Sequence, residues 1–336
     1  MNNKMKKTII LGTGHYVPPK VVTNFDLEKM MDTSNEWIVQ RTGIRERHFV
    51  EPGVGTSDLA YEASIRAIED AGIDKSEIDF IILATLSPDH YFPGVGVILQ
   101  AKLGLPGIGA LDVRNQCTGF IYALSVADQY IKTGMYRRIL VVGAEVQSAN
   151  LNFSTEGRDM AVLFGDGAGA VIVGPNEENN DRGILSTHLF ADGRFLKDLW
   201  MEKPSPKDHP TFSHKMIEEK RYFPRMDGRS VFKNAVSKMP EAVRIALKHN
   251  NLTVDDVDLI IPHQANYRIT EMVARSLKIP MEKVMSNIDK YGNTTAASIP
   301  IALDEAIKSG RLKKNDIVVL TAFGSGYTWG SAIIKM

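Results

Sequence analysis

Uninterrupted apolar runs alternate along this chain with segments whose apolar positions recur every three or four residues. Ala67-Ile68-Glu69-Asp70-Ala71-Gly72-Ile73 has the helical period and passes through Glu77-Ile78-Asp79 into Phe80-Ile81-Ile82. Ala246-Leu247-Lys248-His249-Asn250-Asn251-Leu252 passes likewise through Asp256-Val257-Asp258 into Leu259-Ile260-Ile261, 179 residues later. Each reads as an amphipathic helix, a turn and a buried strand. Ile131-Lys132-Thr133-Gly134 recurs as Ile307-Lys308-Ser309-Gly310, 176 residues on, with an apolar strand following at 139–142 and at 317–320. Phe164-Gly165-Asp166-Gly167 recurs as Phe323-Gly324-Ser325-Gly326, each leading into a strand. Three matches in order, at offsets differing by a few residues, read as a duplicated domain.

Alternating helices and strands in both halves predict an α/β protein of βαβ units with largely parallel sheets. The polar, turn-rich stretch at 174–182 divides it into an N-terminal half, 1–175, and a C-terminal half, 176–336. The least regular segment is 191–229, with Pro204, Pro206, Pro210 and Pro224. A loop of that length is a functional element, a mobile one or a surface insertion.

Composition narrows the class. Lysine and arginine total 40, as do aspartate and glutamate. That balance argues against a general nucleic-acid or membrane surface. One cysteine rules out a disulfide scaffold and fits a reducing, cytoplasmic setting. Residues 1–7 are basic, but Thr8-Ile9-Ile10-Leu11 is too short for a signal-peptide core. No apolar run approaches the ~20 residues of a membrane helix.

The lone thiol is Cys117, in Asp112-Val113-Arg114-Asn115-Gln116-Cys117-Thr118-Gly119-Phe120. Free cysteine is more often a small buried hydrophobe than a nucleophile. Here Phe120, Ile121, Leu124, Ala127 and Ile131 set a helical period that begins just after it. A thiol at a helix N-terminus gains from the macrodipole, which lowers its pKa. Subtracting the 176-residue offset pairs Asn293-Thr294 with Cys117-Thr118. Asn293 also precedes a helix, with Ser298 as its cap and Pro300 in its first turn. His263, in Pro262-His263-Gln264-Ala265-Asn266, follows an apolar strand at the end where open α/β sheets place ligands. Cys117, His263 and Asn293 are therefore expected to converge.

Other signals are weaker. Gly165-Asp166-Gly167-Ala168-Gly169 resembles a dinucleotide loop, but the strand Ala170-Val171-Ile172-Val173 follows it where a helix is required, so that reading fails. Gly324-Ser325-Gly326 is either a tight turn or a source of N–H groups for an oxyanion. Trp37 alone reads as a core residue; with Arg41 four positions on it would make a stacking and phosphate-binding edge. No histidine pair or cysteine partner suggests a metal site.

Taken together, Asp32-Thr33-Ser34-Asn35-Glu36-Trp37-Ile38, Arg41-Thr42-Gly43-Ile44-Arg45-Glu46-Arg47, the Cys117 helix, Phe164 through Ala170, Pro262 through Asn266, Gly292-Asn293-Thr294, Ala297-Ser298-Ile299-Pro300 and Thr328-Trp329-Gly330 resemble the β-ketoacyl-acyl-carrier-protein synthase III family, within the thiolase-like superfamily. The resemblance runs almost end to end. It implies a five-layered αβαβα fold from a duplicated domain with pseudo-twofold symmetry. It implies decarboxylative Claisen condensation of an acyl-CoA with malonyl carrier protein, with Cys117 as nucleophile and His263 and Asn293 completing a triad. It further implies an oxyanion hole from the backbone of Cys117 and Ser325, and coenzyme A contacts from Trp37, Arg41, Arg158, Arg229 and Asn266. Trp37 and Arg158 would sandwich the adenine. Phe92 would reach the partner's acyl pocket in a homodimer, and Gln264, Ala265, Asn266, Tyr267 and Arg268 would contact acyl carrier protein. No metal or redox cofactor is implied.

Departures from the family pattern are Ser325 in place of a third glycine, Arg229 in place of a smaller polar residue, the long 191–229 segment, and Arg114-Asn115-Gln116 before the thiol. The first three bear on the choice of primer. A papain-like hydrolase also orders Cys, His and Asn, but its cysteine lies near the mature N-terminus in a different setting. A nearer rival is a synthase III-like enzyme of secondary metabolism that loads an unusual acyl primer or transfers acyl groups without decarboxylation; a third, of a different class, is an idle acyl-CoA or carrier-protein binding module. The intact triad counts against the idle module.

Overall fold

The computed structural model describes residues 6–178 and 180–336. Residues 1–5 of the basic N-terminal stretch and Asn179 of the polar junction lie outside the described residues. The N-terminal half holds strands β1 (Thr8–Tyr16), β2 (Lys20–Thr23), β3 (Glu46–Phe49), β4 (Phe80–Ala84), β5 (Gly109–Val113), β6 (Ile139–Glu145) and β7 (Gly167–Pro175). The C-terminal half holds β8 (Gly183–Ala191), β9 (Leu199–Trp200), β10 (Arg225–Met226), β11 (Leu259–Pro262), β12 (Ile317–Gly324) and β13 (Thr328–Lys335). Every residue of β4, β6 and β7 is buried. Strands apolar on both sides need cover on both faces, and layering supplies it.

One sheet has the order β1-β7-β6-β4-β5 and the other β8-β13-β12-β11. Apart from the edge strand β5 the orders are the same, so the duplication is visible in the topology. Helices Gly119–Lys132 and Ser298–Lys308 lie between the sheets, sending Phe120, Leu124, Ile299 and Leu303 into a core shared by both halves. Helices Thr56–Ala71 and Val95–Leu103 cover the outside of the first sheet, and Gly228–His249 and Tyr267–Leu277 the outside of the second. This is the five-layered αβαβα arrangement.

Two expectations about the sheets need correction. They are mixed rather than largely parallel: β4 runs parallel to β5 and β6, and β11 to β12, while β7 and β13 are antiparallel to their neighbours. The step from β12 to β13 spans only residues 325–327, which permits a hairpin but no crossover. The three repeat offsets are also not nearly equal. Phe164 to Phe323 is 159 residues, because 146–166 separates β6 from β7 where 325–327 suffices in the second half.

The register at the centre shifts as well. A 3₁₀ turn, Gln116–Thr118, precedes the first central helix, and another, Thr295–Ala297, precedes the second. Both open on a residue with positive φ, Gln116 at 46° and Thr295 at 53°. The helices then begin at Gly119 and Ser298. The matching offset is therefore 179, and Cys117 corresponds to Ala296, not Asn293. The two turns still pack on each other: a Cβ on Gly119 would lie 3.4 Å from Ala296 Cβ.

The 191–229 segment is structured. It contains a 3₁₀ stretch, Gly193–Asp198, the β9–β10 ribbon and a short helix, His214–Glu218.

Candidate active site

A cavity of about 460 Å³ opens between the C-terminal ends of the two sheets' parallel strands and the 191–229 segment. Cys117, His263 and Asn293 all line it, so the expected convergence holds although the register that suggested it was three residues off.

Cys117 is the middle residue of its 3₁₀ turn, with helix Gly119–Lys132 starting two residues later. The turn is pinned by Thr118, whose hydroxyl lies 2.8 Å from that of Thr328 on β13. Gly324, at the end of β12, presses against it: a Cβ there would sit 3.0 Å from Cys117 Cβ and 3.1 Å from its N. The expected low thiol pKa is not found. Burial pushes the Cys117 thiol up to about 12, the negative charge of Glu145 adds to this, and its own amide opposes it weakly. A helix dipole contributes about 0.3–1 kcal/mol, up to ~2 in favourable sites, which is too little to offset full desolvation.

His263 sits just past β11, its N–H bonded to Thr321 O at 2.8 Å. Nδ1 lies 2.6 Å from Ser298 Oγ, and Nε2 is buried without a partner among the described residues. Ser298 is thus not the helix cap expected of it. It is the first residue of its helix and makes no cap bond; its hydroxyl serves His263. Gln264 N–H also lies 3.4 Å from Ser298 Oγ; with the serine hydroxyl donating to Nδ1, the ring proton would sit on the unpartnered Nε2. Burial lowers the His263 pKa to about 3, so the ring is neutral near pH 7.

Asn293 is held by backbone bonds on both sides, its N–H to Leu163 O and its carbonyl to Gly165 N–H. Its Oδ1 accepts the Thr295 N–H at 2.9 Å. That fixes the amide's orientation and leaves Nδ2 as a donor with no hydrogen bond inside the described residues. A neutral imidazole and an amide N–H thus share a cavity with a thiol. The set can hold an anionic oxygen next to an acylated sulfur.

Nearer the surface the lining includes Trp37, Arg41, Arg229, Asn266 and Arg268. The three exposed guanidiniums give this end a charge suited to phosphates. Arg41 Cζ is 4.6 Å and Arg158 Cζ 5.2 Å from the Trp37 ring centroid. A base between Trp37 and Arg158 needs about 7 Å, two layers of ~3.5 Å contact. The sandwich is therefore closed here, with Arg158 bonded to Asp32 O at 2.6 Å. Ser325 is beside the thiol through Gly324, but its hydroxyl donates to Leu199 O.

Along 264–268, Ala265, Asn266 and Arg268 reach the cavity, and Tyr267 packs beside Gly43. Gln264 does not belong with them. It is 1 % exposed, with its amide N–H groups given to Pro262 O and Met285 O and its Oε1 accepting Asn287 N–H. Its side chain is interior and offers no partner a surface. Phe92 lies outside the cavity and is 80 % exposed, next to Tyr91 at 70 %. The Phe164–Gly169 stretch runs into β7, as its sequence requires, and Asp166 accepts the N–H groups of Val50, Gln147 and Ser148.

Two site residues escaped the sequence reading. Ser298 is one; Glu145 is the other. Glu145 ends β6, fully buried, and accepts Ser87 Oγ at 2.5 Å, Thr85 Oγ1 at 3.2 Å, Leu86 N–H at 3.2 Å and Gln147 Nε2 at 3.1 Å. Burial pushes its pKa up to about 7 against those bonds. A single carboxylate ending the apolar run 139–144 was the available signal. Leu199, Met226 and Phe232 also wall the cavity.

The sequence profile described as 3-Oxoacyl-[acyl-carrier-protein (ACP)] synthase III matches residues 111–193, and its C-terminal counterpart matches 247–336. The beta-ketoacyl-[acyl-carrier-protein] synthase III of Caldanaerobacter subterraneus subsp. tengcongensis is 50% identical over 326 residues, 97% of each chain. The chain belongs to the β-ketoacyl-acyl-carrier-protein synthase III family. Its members are condensing enzymes, so this protein is an acyltransferase with a thiolase-like fold. The crystal structure of the synthase III of Aquifex aeolicus VF5 superposes with a TM-score of 0.90 at 43% identity, covering 98% of this chain and 100% of that one. The priming β-ketosynthase of the R1128 polyketide pathway gives a TM-score of 0.90 at 33% identity, covering 99% and 97%. Among the described residues no group of His, Cys, Asp or Glu is arranged to hold a metal, and no helix is long and apolar enough to cross a membrane.

Proposed function

We propose that this synthase III family member condenses an acyl-CoA primer with malonyl-acyl carrier protein, giving 3-oxoacyl carrier protein, carbon dioxide and coenzyme A. Cys117 Sγ attacks the thioester carbonyl, the carbon–sulfur bond to coenzyme A breaks, and the thiol proton leaves on coenzyme A. The malonyl carboxylate then departs as carbon dioxide, and its bonding pair becomes an enolate. His263 Nε2–H and Asn293 Nδ2–H donate to the enolate oxygen. The enolate carbon attacks the Cys117 thioester, forming the carbon–carbon bond and releasing the thiolate, which regains a proton. A neutral histidine suits this role, since it donates a hydrogen bond without surrendering its proton. The reaction requires no resident metal or redox cofactor.

The observation that carries the reading is the pair of unpartnered side-chain nitrogens, His263 Nε2 and Asn293 Nδ2, oriented by Ser298 and Thr295 in one cavity with Cys117. The guanidiniums of Arg41, Arg229 and Arg268 would take the phosphates of coenzyme A and of the carrier's prosthetic arm, with Asn266 shaping the same wall. Adenine stacking on Trp37 would require Arg158 to swing away. Ala265, Asn266, Tyr267 and Arg268 would face the carrier protein. Backbone N–H groups of Cys117 and Ser325 would hold the oxyanion of the acyl-transfer step. Exposed Phe92 would be covered in a homodimer, and the unpaired thiol suits the cytoplasm.

Intact-mass measurement after incubation with acetyl-CoA and longer acyl-CoAs tests the reading. An adduct on the wild type that C117A lacks is expected, with carbon dioxide released once malonyl carrier protein is added. Absence of any wild-type adduct overturns it. The likeness to the R1128 priming enzyme favours a second reading, a specialised primer, which the same series would reveal as an adduct formed only with an unusual acyl group.

A further inference from the structure

The turn joining β12 to β13 is clamped from two sides. On one side Gly324 lies against Cys117. On the other, three contacts fasten the turn to the 191–229 segment. Ser325 Oγ donates to Leu199 O. Tyr327 OH donates to Asp198 Oδ2 at 2.9 Å. The backbones of Tyr327 and Asp192 exchange two bonds of 2.8 Å. Asp198 is itself anchored: its carboxylate accepts Ser230 Oγ at 2.5 Å and its carbonyl accepts Asp227 N–H at 2.7 Å.

Ser325 is the link that matters for chemistry, because it adjoins the glycine in contact with the nucleophile. Its hydroxyl bond to Leu199 fixes the rotation of the peptide units around it. A glycine at this place would have no such tether and more backbone freedom to lose. Leu199 and Met226, paired across the ribbon, also wall the cavity. We propose that Ser325 is a positioning residue: by hanging its hydroxyl on the Leu199 carbonyl, it aims its own backbone N–H at the thioester oxygen on Cys117 and ties that donor to the ribbon lining the substrate channel. This rests on the acyl-transfer reading above. In this chain the bond joins the turn directly to the structured 191–229 segment. An oxyanion donor acts only when it is held where the charge develops, and small misplacements at a reacting centre are costly.

The test is single-turnover acylation of Cys117 by acyl-CoA in the wild type, S325A, S325G and S325T, with KM and the thermal midpoint measured for each. S325A and S325G should lose roughly tenfold to hundredfold in the saturated acylation rate. Their KM should stay within about twofold and their midpoints should fall only a little, since the Leu199 carbonyl that loses its donor is only partly buried. S325T, which keeps the hydroxyl, should recover most of the loss. A wild-type acylation rate in S325A, or a raised KM with an unchanged rate, overturns the proposal. A wild type that forms no adduct would instead refute the acyl-transfer reading, so the two failures are distinct.

Discussion

Glu145 sets a limit on how the nucleophile is used. Its carboxyl is pushed up to about 7 by burial, and its charge is one reason the Cys117 thiol stands so high. Replacing it by glutamine removes that charge while keeping an acceptor for Leu86 N–H. E145Q should therefore shift the pH profile of Cys117 alkylation by iodoacetamide toward lower pH; an unchanged profile would contradict the assignment. Stability should move too. The folded carboxyl titrates near 7 against an ordinary 4.5, so its stabilising contribution is complete below about 4.5 and is lost as pH rises through 7. Urea midpoints of the wild type should fall relative to E145Q across that window. At this scale the site was legible where composition or position isolates a residue. Cys117 stood out as the only thiol and His263 as the residue after a strand. Ser298 and Glu145 did not, because what defines them is a partner far along the chain: Ser298 lies 35 residues from His263, and Glu145 58 from Ser87.

At the level of elements, the helical and apolar periods placed the central helices and the strands before and after them, because burial on one or both faces leaves its mark on composition. Strand direction and repeat register did not show. Both depend on connections, the three-residue step between β12 and β13 and the long excursion between β6 and β7, which hydrophobic pattern does not encode. The ribbon of 191–229 was hidden for a related reason: two-residue strands carry no period. Close packing between elements makes its own demand. Gly143 on β6 faces the second 3₁₀ turn so closely that a Cβ would lie 2.4 Å from Ala296 O, a backbone atom. G143A should force the turn away from β6 and cost on the order of 3 kcal/mol, read as a lower urea midpoint. Wild-type stability would mean that the turn yields freely.

For the whole molecule, the exposed pair Tyr91 and Phe92 is the feature a single chain leaves unexplained. Covering a large apolar side chain is worth about 1.5–3 kcal/mol, and two adjacent ones on an exposed loop fit a subunit contact. If a homodimer buries Phe92, F92D should sediment at the monomer mass while the wild type sediments as a dimer, with a thermal midpoint at or below that of the wild type. A monomeric wild type would remove the basis for placing Phe92 in a neighbour's pocket.

Both central helices contribute to a single core in which residues of β4 and β6 meet residues of β11 and β12. Neither half can bury its inner face without the other. Backbone continuity across 176–182 is then a convenience of synthesis and not a requirement of the fold. Two polypeptides divided there would behave as an obligate heterodimer, each inert alone, since one carries the thiol and the other both of the N–H donors. Activity would appear only on their association.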